Sequence, residues 1–297
     1  MVFVMTPKWN NVILQGLSGL GLVGYNTVKT LVEAFDAEVY KDYAEFFPNI
    51  TVIENARLEN QCVRIYQKEL QSKRLFRFIN GGQPRSEELS SMFLQKIITD
   101  IQEIHKNNKV DLFLSFGAYV TKSLSHLDFQ DQMFSSKEEL ADSILNSEIN
   151  KNRTIYVATS GPLFYDDFIK DLNSYESITK EPGGYITGLN GVIPAAIGER
   201  LKIPSATVMI ETTGTGTDIR PTNDFPLLAQ FLGLLATKRA LTFLEKTFDL
   251  KINLESKIDT ILEELKSTAK QEIISFFERD NTDDSRQSDF RNDKMYT

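Results

Sequence analysis

"NVILQGLSGLGLVGYNTVKTLVEAF", residues 11–35, holds Gly19, Gly21 and Gly24 at the spacing G-x-G-x-x-G. The apolar run before the glycines predicts a strand over residues 12–15, and the pattern after them predicts a helix from about Val23 to Phe35. A strand, a glycine turn and a helix N-terminus form the context of a phosphate cradle, where missing side chains let backbone N–H groups approach an anion. The same residues also serve as a tight strand-to-helix turn. A dinucleotide site needs, in addition, an acidic residue closing the next strand to hold a ribose. Asp42 stands near the right distance, but "AEVYKDYAEFF" (37–47) is a poor second strand. A P-loop is absent, because Val28 rather than a glycine precedes Lys29. Ser18 in "GLSGL" misses the elbow pattern G-x-S-x-G by one position.

Outward from this stretch, short apolar runs alternate with helical patterns. "CVRIYQ" (62–67) and "RLFRFIN" (74–80) predict strands. The loop "GGQPRSEE" (81–88) then leads into a helix with Met92, Phe93, Ile97, Ile101 and Ile104 on its apolar face. "VDLFLSFGAY" (110–119), "TIYVAT" (154–159) and "SATVMIE" (205–211) are continuous apolar runs, suited to strands covered on both faces. The expected architecture is therefore α/β, a mostly parallel central sheet flanked by helices, over residues 1–250. Residues 122–152 turn polar and predict a helical insertion outside the core. From Leu254, the residues Ile258, Ile261, Leu262, Leu265, Ala269 and Ile273 define an amphipathic helix over 251–278, ending near Phe277. Residues 279–297 have too little apolar surface to offset the entropy of ordering and predict a flexible tail.

Charge and composition narrow the function. A formal net charge of -8 repels nucleic-acid phosphates and anionic membranes, so neither is expected as a partner. Cys62 is the only cysteine, which leaves no internal disulfide or thiolate cluster and fits a reducing, cytoplasmic setting. The start "MVFVMTPKW" lacks the basic and long apolar regions of an export signal. Two histidines are present. His105 falls at the end of the helix after "GGQPRSEE", where a cation–dipole role suffices, and His126 falls in the polar insertion. Glu211 and Asp218 flank "TTGTGT" as a possible carboxylate pair, although turn and cap roles explain them as well. No cofactor or metal is expected.

Three segments in this order, "GLSGLGLVG" (16–24), "GGQPRSEE" and "GGYITGLNGVIPAAIGERLKIPSATVMIETTG" (183–214), resemble proteasome assembly chaperones of the second type, including their archaeal relatives. The resemblance runs from about Asn11 to Phe243. It implies a phosphorylase-like α/β fold in which the glycine stretch is a structural turn, and a homo-oligomer that is not an enzyme. It also implies a partner, the α-subunits of the proteasome core particle. Archaeal members acting on the proteasome end in a hydrophobic residue, a tyrosine and any residue, matched here by Met295, Tyr296 and Thr297. With tyrosine at 10 of 297 positions and 41% hydrophobic residues, a random terminus matches only about 1% of the time. The resemblance assigns docking to these three residues. The apolar stretch "FPLLAQFLGLLATKRALTFL" (225–244) is a candidate for the interface between copies, or equally for the monomer core.

Overall fold

The computed structural model describes residues 9–47, 51–54, 57–60, 62–70, 73–124, 134, 136–161, 178–180, 186, 188–215, 226–250 and 253–292, to which all statements below refer. The first strand, β1 (Asn11–Leu17), is buried along its whole length, and α1 spans Val23–Phe35 as its periodicity predicts. The chain continues through β2 (Glu38–Asp42), β3 (Thr51–Glu54), β4 (Arg57–Asn60), β5 (Val63–Glu69) and β6 (Leu75–Gly81). After α2 (Glu87–Asn107) come β7 (Leu112–Leu124), α3 (Lys137–Asn150), β8 (Ile155–Thr159) and β9 (Ile178–Lys180). The last elements are α4 (Leu189–Leu201), β10 (Ser205–Thr215), α5 (Pro226–Phe248) and α6 (Glu255–Asn292).

The main sheet has the order β2-β5-β6-β1-β7-β10-β8-β9. Its centre, β6-β1-β7-β10, is parallel, as continuous apolar strands covered on both faces require. The sheet is mostly parallel, as expected, with β8 and β9 also parallel to each other; its flanks are mixed, since β5 runs antiparallel to both β6 and β2, and β8 antiparallel to β10. For β5 and β6 the cause is local. They are joined by a tight turn in which Leu70 N–H donates to Arg74 O at 2.9 Å and Lys73 takes a left-handed φ of 58°, and so short a link permits only antiparallel pairing.

Alternate residues of β1 feed two cores. Val12 and Leu14 pack beneath α1, α3, α5 and α6, with Phe76, Phe78, Leu114 and Phe116 beside them. Ile13 and Leu17 pack on the other face, against Phe93, Ile97 and Ile101 of α2 and Ile193 and Ile197 of α4. Ser86 caps α2 by accepting from Leu89 N–H at 3.1 Å, and Glu87 and Glu88 follow in its first turn. Met92, counted above on the apolar face, is 54% exposed.

Two further expectations meet the structure differently. Within the expected helical insertion 122–152, β7 continues to Leu124 and the helix is present as α3, which buries Leu140, Ala141, Ile144 and Leu145 in the larger core; residues 125–133 and 135 lie outside the described residues. The exposed polar face of α3 disguised a narrow apolar stripe. The C-terminal helix does not stop near Phe277 but runs to Asn292, so 279–292 of the expected flexible tail is helical. The apolar period does end there, but no glycine or proline interrupts residues 255–297, and the backbone ladder continues. At ~1.5 Å per residue its 38 residues span roughly 57 Å. Helix α5 lies inside the fold, with Phe231, Leu232, Leu241, Phe243 and Leu244 each at most 2% exposed; its apolar excess serves the core.

Candidate functional site

The glycine turn is packed backbone against backbone. A Cβ on Gly16 would lie 1.9 Å from Gly24 O, and one on Gly24 would lie 2.2 Å from Phe116 O, both impossible contacts. These glycines let the end of β1, the start of α1 and β7 touch. Gly21 (φ 60°) and Leu22 (φ 54°) are left-handed, which turns the chain into α1 and sets Gly21 O against Gly233 of α5. Only Gly19 faces space, its nearest would-be contact being Asn190 Nδ2 at 3.6 Å. Gly16 and Gly24 are thus accounted for by close backbone packing and Gly21 by its left-handed φ, which supports the reading of the stretch as a structural turn.

The fingerprint fails at its second part too. Asp42 ends β2, an edge strand separated from β1 by β5 and β6. Its carboxylate accepts from Arg64 Nε at 2.9 Å and Ala44 N–H at 2.8 Å. Burial raises its pKa, but the Arg64 and Ala44 hydrogen bonds outweigh that and hold it below the ordinary value.

The crevice at the carboxyl ends of the parallel strands, where α/β folds bind ligands, is filled by neutral amides. Asn190, at the start of α4, accepts from Leu17 N–H at 3.1 Å and donates to Leu17 O at 3.1 Å, pairing with β1 as a further strand would. Gln15 donates to Asn190 Oδ1 and Leu189 O, each at 3.2 Å. Asn80 bridges Gly16 O and Tyr25 O, each at 2.9 Å, and Gln83 donates to Ser18 O. No imidazole or carboxylate hydrogen-bonds Ser18 among the described residues. These amides escaped the sequence reading; the one hint was their placement beside glycines in "INGGQ" and "GLNG".

The remaining candidates have structural roles. His105 Nδ1 accepts from Val110 N–H at 3.1 Å, fastening the exit of α2 by a hydrogen bond where a cation–dipole contact was expected. Glu211 joins three elements: its carboxylate accepts from Thr154 N–H at 3.0 Å and Thr121 Oγ1 at 2.8 Å and pairs with Lys151 at 3.0 Å. Burial alone would push this carboxyl up, but those donors together prevail and hold it at about 2. Lys151 also reaches Thr213 Oγ1, which donates to Glu148, itself paired with Arg153 at 2.9 Å. A carboxylate so saturated is a poor proton acceptor, and the proposed acid–base role of Glu211 is set aside. Asp218, His126 and the docking residues Met295, Tyr296 and Thr297 lie outside the described residues. Among the described residues, no group of three or more His, Cys, Asp or Glu is arranged to hold a metal ion.

Comparison with known proteins supplies the family. A model described as the PAC2 family matches residues 13–272. Among solved structures, the chain resembles Pyrococcus furiosus PbaB, described as an archaeal proteasome activator, with 15% identity and a TM-score of 0.62, covering 89% of this chain and 93% of that one. It also resembles P. furiosus PbaA, described as an archaeal homolog of proteasome-assembly chaperone, with 16% identity and a TM-score of 0.57 over 98% and 97% of the two chains. A PAC2 family protein from Streptomyces avermitilis shares the fold at 14% identity and a TM-score of 0.57, covering 88% and 95%. No curated protein matches the sequence.

Proposed function

This chain belongs to the PAC2 family, and from that premise we propose that it is a cytoplasmic, ATP-independent proteasome assembly chaperone or activator on a phosphorylase-like scaffold. It works as a homo-oligomer and docks its C-terminal residues on the α-ring of the core particle. The observation that carries the reading is the terminal Met295-Tyr296-Thr297, which matches the docking motif of archaeal family members. Tyr296 inserts its ring between adjacent α-subunits, Met295 covers apolar surface beside it, and the Thr297 carboxylate meets a lysine. Aromatic anchors give large contact area at small entropic loss. A single terminus binds weakly, and several held on one oligomer bind together at high effective concentration. The likeness to PbaA and PbaB in fold supports this reading, as does a carboxyl-end crevice filled by backbone and amides instead of catalytic groups.

The test is peptide hydrolysis by purified core particle, and co-sedimentation with it, using the full chain and Tyr296→Ala. The variant should lose binding to the core particle while keeping the native mass and Tm of the parent. Unaltered binding by Tyr296→Ala would refute docking through the terminus, and a 33.8 kDa species alone at micromolar concentration would refute the oligomer. Nucleosides or nucleotides that raise Tm would sink the non-enzymatic part of the proposal.

A further inference from the structure

The end of the molecule where β1 finishes is built from segments without charge. Residues 9–28, 78–84 and 188–198 contain no Asp, Glu, Lys or Arg, although these types make up 25% of the chain. The three segments supply β1 with its glycine turn, the exit of β6 and the first turns of α4. Asn190 closes on Leu17 and Gln83 on Ser18 O, so this end presents a face rather than a cleft. Apolar side chains stand out from it: Leu20, Leu22 and Val192 are each 42% exposed. The turn that carries the two leucines has little slack, because Gly16, Gly21 and Gly24 lie backbone against backbone, and a surface so fixed loses little entropy on docking.

Leu22 carries a second mark. Its φ of 54° is left-handed, a conformation that costs energy for any residue with a Cβ, and much of its side chain is still left in water. Other apolar side chains are more exposed, namely Val39, Tyr40 and Met92 at 55%, 50% and 54%. Those have charged neighbours, however: Glu38 and Lys41 flank Val39 and Tyr40 on β2, and Lys96 follows Met92 by one turn of α2.

We infer that this charge-free face is where a second copy of the chain docks, the same face of each copy meeting across a two-fold axis. Electrostatics selects the occupant. Copies with a net charge of -8 repel one another, and a two-fold contact adds like charge against like charge wherever the patch is charged. A face built from uncharged segments escapes the second penalty, whereas a partner chosen by opposite charge would find nothing there to pair with. A contact of ordinary size covers ~800 Å² per copy. Leu20, Leu22 and Val192 form its dry centre, and the neutral amides beside them are compatible with a mirror of themselves. The inference rests on the homo-oligomer of the proposed function and names its surface.

Sedimentation equilibrium of the full chain, from nanomolar to micromolar concentration, is the test. Val192→Asp sets two carboxylates near the axis and should raise the dissociation constant at least about 100-fold. The fold should tolerate it, since an acid in the first turn of α4 suits the helix dipole. Leu22→Gly removes an anchor and also relieves the left-handed backbone; it should raise the dissociation constant about tenfold while the urea midpoint of the diluted protein stays close to the parent's. Val39→Asp, on the charged sheet edge, should leave the mass distribution unchanged. A parent that sediments only at 33.8 kDa would overturn both this face and the oligomer of the proposed function. An oligomeric parent whose Val192→Asp and Leu22→Gly variants associate as tightly would overturn this face alone, as would dissociation by Val39→Asp in their place.

Discussion

Replacing the three fingerprint glycines by alanine, one at a time, separates packing from ligand binding, because their surroundings differ so much. At Gly19 the backbone is extended (φ -168°) and the new methyl has only Asn190 Nδ2 at 3.6 Å, so Gly19→Ala should change stability by less than ~0.5 kcal/mol. At Gly21 the left-handed φ of 60° costs alanine roughly 1–2 kcal/mol, and Gly233 Cα at 3.3 Å adds a little. At Gly24 alanine gains about 1 kcal/mol of helix propensity within α1. It must then move the Phe116 carbonyl by roughly 1 Å from a 2.2 Å approach, inside a junction of three elements. Overpacking there costs about 3 kcal/mol, so the net loss is ~2 kcal/mol, or about 4 °C in Tm for a chain of this size. The order of damage should be Gly24, then Gly21, then Gly19, read by denaturant unfolding with circular dichroism. A stable Gly24→Ala protein, or a Gly19→Ala protein more damaged than Gly24→Ala, would refute the packing account.

Glu211 makes stability depend on acid. Its folded pKa of about 2 lies below the ordinary 4.5, so its contribution is complete above pH ~4.5 and disappears as pH falls toward 2. The shift is worth about 3 kcal/mol as an upper bound, of which ~2 kcal/mol is gone by pH 3. Urea unfolding of the parent and Glu211→Gln should therefore show a gap that narrows from pH 7 to pH 3; a constant gap would show that the carboxylate charge is not what matters. Asn190→Ala removes both partners of a fully buried strand end, Leu17 N–H and C=O, and should cost about 2–4 kcal/mol. Equal midpoints in urea for Asn190→Ala and the parent would show that Asn190 does not hold α4 to β1.

Local pattern was legible wherever one residue period ran long enough. The bounds of α1 and the strands around Val12, Ile65, Phe78, Phe113, Val157 and Val208 could be read from apolar runs and the glycines beside them. Strand direction could not, because the polarity of β5 and β8 is set by which neighbour each meets, a non-local fact. Helix α3 could be read as a helix but its packing could not, because Leu140, Ala141, Ile144 and Leu145 are its only buried apolar residues in a charged segment, beside the buried Glu148. The glycine spacing gave two readings, and only the approach of Gly24 to Phe116, 92 positions away, separates them. Asn190 was invisible for the same reason: its partner Leu17 is 173 residues distant. The docking triad rests on a family pattern at the terminus, which no periodicity announces.

The length of α6 has a consequence of angle. A coil that follows the core would deliver the terminal residues with no preferred bearing, and its reach alone would matter. A helix running to Asn292 ties the bearing of its last residue about the helix axis to the number of residues since Glu255, at ~100° and 1.5 Å for each. One residue more or less in this arm swings its end by more than a quarter of a circle, while seven return it to within ~20° and extend it by roughly 10 Å. The arm thus has an azimuth as well as a radius, and in a symmetric assembly every copy would share the same offset about its own axis.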